Sequence, residues 1–242
     1  IVKPGQAMLS LGTSGVYFAV TDGFKANPES AVHSFCHALP NTWHLMSVLL
    51  SAASCLQWYA ESIAQKPVGE LLEELAQANI DFENAPIFLP YLSGERTPHN
   101  NPFATGSFVG LTHSTDQATL THSVLEGVSF AFADGVECLH ASGVDADEIT
   151  LIGGGAKSIY WRQLLADVLQ RPVNYRTGGD VGPGLGAARL AQIAIDTDKT
   201  LEEICPQPTL EALFEPNNKN VEMYAKRRIK FQQLYKQLAP LF

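Results

Sequence analysis

The chain has 242 residues, enough for one large domain or two small ones with a substantial core. Charged residues make up 17% and hydrophobic ones 45%, which excludes a disordered chain and fits a soluble globular protein. A formal net charge of −9 argues against broad nucleic-acid or acidic-membrane binding, so an anionic ligand has to be met by local donors such as backbone N–H groups.

In chain order, "AMLSLG" and "GVYFAVT" read as paired strands, and "AVHSFCHAL" as a third. After "PNTWHLMSV", the segment from about Leu49 to Gln65 reads as a helix. "VGELLEELAQA" gives a second helix, with Val68, Leu71, Leu72 and Leu75 on one side. "PIFLPYL" is a short buried strand, and "SGERTPHNNPFATG", with two prolines and two glycines, is loop. Ser114 and Gln117 fit a capping box that opens a long helix running to about Ala141. Leu120, Val124, Val128, Ala131 and Leu139 lie close to helical spacing along it. "EITLIGGGAKSIYWRQLLADVL" reads as strand, glycine turn and helix, and "PVNYR" as a strand. "GGDVGPGLGAARLAQIAI" is a glycine-rich entry to another helix, and "VEMYAKRRIKFQQLYKQL" closes the chain as a helix. Antiparallel strands first and alternating strands and helices later make one mixed α/β domain the expected architecture. No apolar run reaches the ~18 residues of a membrane span. The start "IVKPGQAM", without an initiator methionine, has the pattern of a fragment.

Two stretches carry chemistry. Gly12, Thr13, Ser14 and Gly15 join the first two strands in a tight turn whose N–H groups and hydroxyls suit a phosphate; the same residues also serve as a plain hairpin. Gly153, Gly154, Gly155 and Ala156 lie between a strand and a helix, where bare backbone lets a ligand approach a helix N-terminus; a simple tight turn is the alternative.

Other candidates weaken on inspection. "GPGLGAA" lacks the G-x-G-x-x-G spacing and an acidic ribose partner, so a dinucleotide-binding role yields to close helix packing through small residues. Of His33, Cys36, His37 and His44, strand geometry puts His33 and His37 on one face while Cys36 points away, and a zinc site is not expected. The four cysteines form no C-x-x-C and read as reduced thiols of a cytoplasmic protein. Glu126 and Asp134 fall about 12 Å apart along a helix, too far for a catalytic carboxylate pair. Lys226, Arg227, Arg228 and Lys230 read as a solvated helix face. Glu95 and Arg96, in the Ser93–Thr105 loop, are left with either a structural or a functional role.

Taken together, "LSLGTSGVYFAV", "HSFCHAL", "LSAASCLQW", "FLPYLSGERTPHNNP", "GLTHSTDQATLTHSVLEGV", "LIGGGAKSIYWRQLLADVL" and "YRTGGDVGPGLGAARLAQIA" resemble the C-terminal half of an FGGY-family carbohydrate kinase. The likeness is strongest to the branch that phosphorylates D-xylulose. It implies an actin-like ATPase, ribonuclease H-like domain over residues 1–242, a mixed sheet flanked by helices. It further implies ATP and Mg²⁺ as cofactors, ATP or ADP as ligand, and D-xylulose as acceptor in the intact enzyme.

By this resemblance Gly12, Thr13, Ser14 and Gly15 are the phosphate-contacting hairpin, Gly154, Gly155 and Ala156 lie against the adenosine, and Ala53 and Gln57 line the nucleotide site. Ile159 stands where related glycerol kinases carry a polar residue near the purine. The family's catalytic aspartate and its N-terminal sugar-binding domain fall outside this chain. Neither Asp22 nor Asp180 matches the base motif, so no catalytic residue is expected here. Apolar surface left open by the missing lobe is expected to drive self-association, a homodimer being one form. An FGGY kinase for another sugar or polyol and a non-catalytic actin-like module that binds a partner protein are the competing expectations.

Overall fold

The computed structural model describes residues 1–146, 148–179 and 181–242; Asp180 lies outside them. In β1 (Gln6–Leu11) buried and half-buried residues alternate, as a period of two requires for a strand with one face on a core. β2 (Gly15–Thr21) pairs antiparallel with it, Met8 opposite Phe18 and Leu9 opposite Tyr17. β3 (His33–Cys36) pairs with β4 (Trp43–Leu49), and β4 with β2. β4 is a strand that the sequence pattern did not yield, and the following helix accordingly starts at Ala53 rather than near Leu49.

That helix, α1 (Ala53–Trp58), continues as a π turn over Tyr59–Ala64, and α2 (Val68–Gln77) follows with Leu71 and Leu75 buried. β5 (Ile87–Leu89) and β6 (Ser107–Val109) form a separate two-stranded sheet. Next come α3 (Gln117–Ala141), β7 (Glu148–Ile152), α4 (Ile159–Leu169) and β8 (Val173–Arg176). The chain ends with α5 (Pro183–Ile195), the short α6 (Leu201–Ile204), β9 (Leu210–Phe214) and α7 (Asn218–Leu238). The seven-stranded sheet runs β3-β4-β2-β1-β7-β8-β9. β7 lies parallel to both β1 and β8, and β9 closes the edge antiparallel.

One face of this sheet is dry. Leu9, Tyr17, Leu45, Leu49 and Leu151 point into the core beneath α3, which packs on β4 and β2. The other face, carrying Met8, Phe18, Met46 and Ile152, is half-covered.

Four local expectations are corrected. The cap of α3 is Asp116, whose Oδ1 accepts from Thr119 N at 2.8 Å; Ser114 instead joins a hydroxyl cluster with Thr112. A carboxylate one residue before the helix outcompetes a hydroxyl three residues away. α3 is buried on nearly every side from Thr121 to Val136 rather than along one stripe. The small residues of α5 do not serve close packing: no residue of the helix is buried, and Leu190 and Ile195 are exposed. The basic run on α7 is not simply a solvated face. Arg227 is 3% exposed and grips Glu126 with Nε at 2.5 Å and Nη2 at 2.7 Å, while Arg228 donates to Asp134 at 2.6 and 2.9 Å. Buried carboxylates on α3 demand paired cations, and α7 provides them.

Candidate functional site

The turn between β1 and β2 does more than reverse the chain. Its carbonyls are committed to the start of α1: Ala53 N donates to Gly12 O at 2.8 Å, and Ala52 N and Ser54 N to Thr13 O at 3.0 and 3.3 Å. These bonds satisfy orphan donors of a helix that has no side-chain cap. With those oxygens turned to α1, the Thr13 and Ser14 side chains stand exposed at the hairpin tip.

Across β1 lies the turn after β7, where Gly154–Lys157 form a single 3₁₀ turn before α4. The first amides of such a turn have no acceptor within it and are available to a ligand. Gly155 is required by crowding, since a Cβ there would fall 2.5 Å from Leu11 Cγ. Gly15 is required in the same way, a Cβ meeting Phe132 Cζ at 2.5 Å. The glycines thus let the two turns lie against β1 and α3.

Both turns open into one cleft of about 900 Å³. Gly12 and Thr13 form one end, Gly154, Gly155, Lys157 and Ser158 a second, and Ala53, Ser54, Gln57, Trp58, Glu61 and Ser62 the helical wall. Val68, Gly69 and Leu72 of α2 close the far side with an apolar surface. Of the residues singled out in the sequence, Gly12, Thr13, Ala53, Gln57, Gly154 and Gly155 line this cleft. Ser14 sits at the exposed hairpin tip outside the lining, Gly15 is buried beneath it, and Ala156 is fully buried with its carbonyl taken by Arg162 Nε. Ile159 is exposed and outside the lining.

Sequence reasoning missed the Val68–Leu72 wall and Lys157, the one cation lining the cleft among the described residues. For Lys157 the signal was present, because it directly follows the glycine turn. The α2 wall left none, as Val68 and Leu72 were read only as a core stripe. The cleft is amphipathic: donors and a cation at the glycine turns, an apolar slab opposite, and Gln57 bonded to Glu61 between them. Such a surface accepts a flat apolar ring at one end and an anion at the other.

The loop at Ser93–Thr105 reaches the site through its scaffold. β3 covers only the first part of β4, and beyond it Thr97 takes over the open edge: Thr97 N donates to Val48 O, and Val48 N to Thr97 Oγ1, both at 3.1 Å. Glu95 Oε1 accepts from Leu50 N at 3.0 Å and Arg96 N at 2.7 Å, where β4 turns toward α1. Burial pushes the Glu95 carboxyl up to about 8, against the pull of those two amides. Among the described residues no group of three or more His, Cys, Asp or Glu side chains is placed to hold a metal ion. His33 lies against Arg96, His37 accepts from Leu39 N, and His44 stacks on Phe18. All four cysteines are free, and no helix among the described residues is long and apolar enough to cross a membrane.

Comparison with known proteins bears on the same residues. Residues 7–195 match the C-terminal domain of the FGGY family of carbohydrate kinases. The chain is 57% identical over its whole length to the xylulose kinase of Escherichia coli strain K12, covering 50% of that protein. It is 53% identical over 98% of its length to the xylulose kinase of Klebsiella pneumoniae, covering 49% of that protein. A solved xyloylose kinase from Brucella ovis superposes over the whole chain and 49% of its own, with a TM-score of 0.93 at 44% identity. The chain therefore spans about half the length of the curated relatives it matches. These neighbours share the actin-like ATPase fold, a mixed sheet flanked by helices. The glycine turns and the strands that carry them fall within the matched stretch, and the chain belongs to the FGGY family of carbohydrate kinases.

Proposed function

We propose that residues 1–242 are the nucleotide-binding domain of a two-domain kinase that transfers the γ-phosphoryl group of ATP to the 5-hydroxyl of D-xylulose, giving D-xylulose 5-phosphate. The observation that carries the proposal is the convergence of two glycine turns from distant parts of the chain on one cleft faced by an apolar slab. ATP fits that cleft chemically, its phosphates toward Gly12–Thr13, its adenosine along Gly154–Gly155 and its purine against Val68, Trp58 and Leu72. The relatives named xylulose kinase, at 57% and 53% identity, support D-xylulose as the acceptor.

ATP brings the transferable phosphoryl group, with a divalent cation, Mg²⁺, carried on its phosphates. The chain's own part is positioning. Turn N–H groups and the Thr13 hydroxyl hold charge that moves during transfer, Lys157 adds a cation, and the α2 wall excludes water from one side. The proton acceptor belongs to a glycine-rich segment shortly before the phosphate hairpin and the sugar contacts to an N-terminal domain that faces this one in the intact enzyme, whose compartment is the cytoplasm.

Calorimetric titration with Mg·ADP, together with phosphorylation assays on D-xylulose and related sugars, tests the proposal. The intact enzyme should bind ADP and prefer D-xylulose; residues 1–242 alone should give no turnover. Turnover by this chain alone, or no ADP binding by the intact enzyme, contradicts it.

A further inference from the structure

The Ala156 carbonyl, on the inner side of the glycine turn, is held by a single buried side chain. Arg162, one turn into α4 and 9% exposed, donates Nε to that oxygen. Its guanidinium carbon lies 3.4 Å from the centroid of the Tyr175 ring and 5.7 Å from that of Phe214. A planar cation stacked on an aromatic face keeps its donors in a fixed plane, which a lysine cannot reproduce.

Phe214 lies in β9, beyond the 7–195 stretch that matches the family. The segment around it also binds the outer side of α4. Gln163 donates to Glu215 O at 2.9 Å, and the buried Asp167 accepts from Asn217 N and Asn220 Nδ2, both at 2.8 Å. α4 is thus tied at three successive points to residues 214–220, while its N-terminal end carries the turn that lines the cleft.

We infer that Arg162 is a positioning residue for the nucleotide: clamped between Tyr175 and Phe214, it fixes the Ala156 carbonyl and so aims the Gly154–Gly155 amides at the bound ligand, with Phe214 of β9 as its support. This rests on the proposed nucleotide site. It gives β9 a role in ligand affinity as well as in the sheet edge. The function is binding that is uniform along the reaction, so its loss raises KM for ATP and leaves kcat nearly unchanged.

The test is Mg·ADP calorimetry and steady-state kinetics on the full-length protein, with Arg162→Met, Arg162→Lys, Phe214→Leu and Asn220→Ala. Loss of a charge-assisted bond that orders the turn should weaken ADP by about tenfold in Arg162→Met, with a matching rise in KM for ATP. Arg162→Lys and Phe214→Leu should fall between it and the unmodified protein. Asn220→Ala, which loosens the same segment without touching Arg162, should lower the melting temperature while leaving ADP affinity within about twofold. Unchanged ADP affinity in folded Arg162→Met, or in Arg162→Lys and Phe214→Leu should the Met variant not fold, overturns the inference and leaves the nucleotide site standing. Absence of ADP binding in the unmodified protein removes the site itself, and the inference with it.

Discussion

Gly155 lies packed against Leu11 at the wall of the cleft. A side chain there strikes Leu11 Cγ before it reaches the cleft. Gly155→Val should therefore displace the turn, weakening ADP by at least about tenfold in calorimetry and lowering the melting temperature as well. Glu95 allows a separate test at this scale. Its carboxyl rises from an ordinary value of 4.5 to about 8 because it is buried. A raised folded-state value means that its contribution to stability is complete below about pH 4.5 and is lost as pH climbs through about 8. Denaturation followed across that window should show stability falling with pH, and Glu95→Gln should flatten the fall. A pH-independent difference between the two proteins would contradict the assignment.

Between elements, the clamp from α7 onto α3 carries the clearest energetic consequence. Burial alone would raise the Glu126 carboxyl, yet the paired bonds from Arg227, with the His122 ring 3.8 Å away, hold it below its ordinary value. Arg227→Met leaves that carboxylate uncompensated and should cost about 3–5 kcal/mol in urea denaturation. Replacing both partners, Glu126→Leu with Arg227→Met, should recover most of the loss.

The elements also show what the sequence could and could not reveal. β1, β2 and β7 were legible as β-prone apolar runs bounded by glycine turns or loops, and α2 because its buried and exposed residues follow a helical period. β4 was not, because Met46 and Val48 put apolar residues on its half-covered face while Ser47 occupies a core position, which blurs the alternation. The Arg227 clamp was hidden for a related reason: a run of cations looks solvated until the carboxylates of a distant helix are known to be buried opposite it. In the cleft, the glycine turns were legible as bare backbone, whereas the apolar α2 wall became visible only once folding set it across from them.

For the molecule as a whole, the uneven covering of the sheet matters most. α5 lies over the half-covered face and leaves a cavity of about 690 Å³ bounded by Met8, Phe18, Thr150 and Ile152. α5 also leaves Leu190 and Ile195 exposed, the latter 78% accessible. Apolar surface of this kind marks an interface, and the chain spans half the length of its relatives. Produced alone, residues 1–242 should self-associate in sedimentation experiments, and Leu190→Glu with Ile195→Lys should shift them toward monomer. A monomer at all concentrations would show that this face needs no cover.

The proposed nucleotide site is one place, a single cleft on which two glycine turns converge. A crystal structure of the protein with Mg·ADP tests it most directly. Phosphates within hydrogen-bonding distance of the Gly12–Thr13 amides, with the adenosine along Gly154–Gly155 and the purine against Leu72, is the predicted result. ADP bound in the cavity beneath α5, or anywhere clear of both turns, would contradict it.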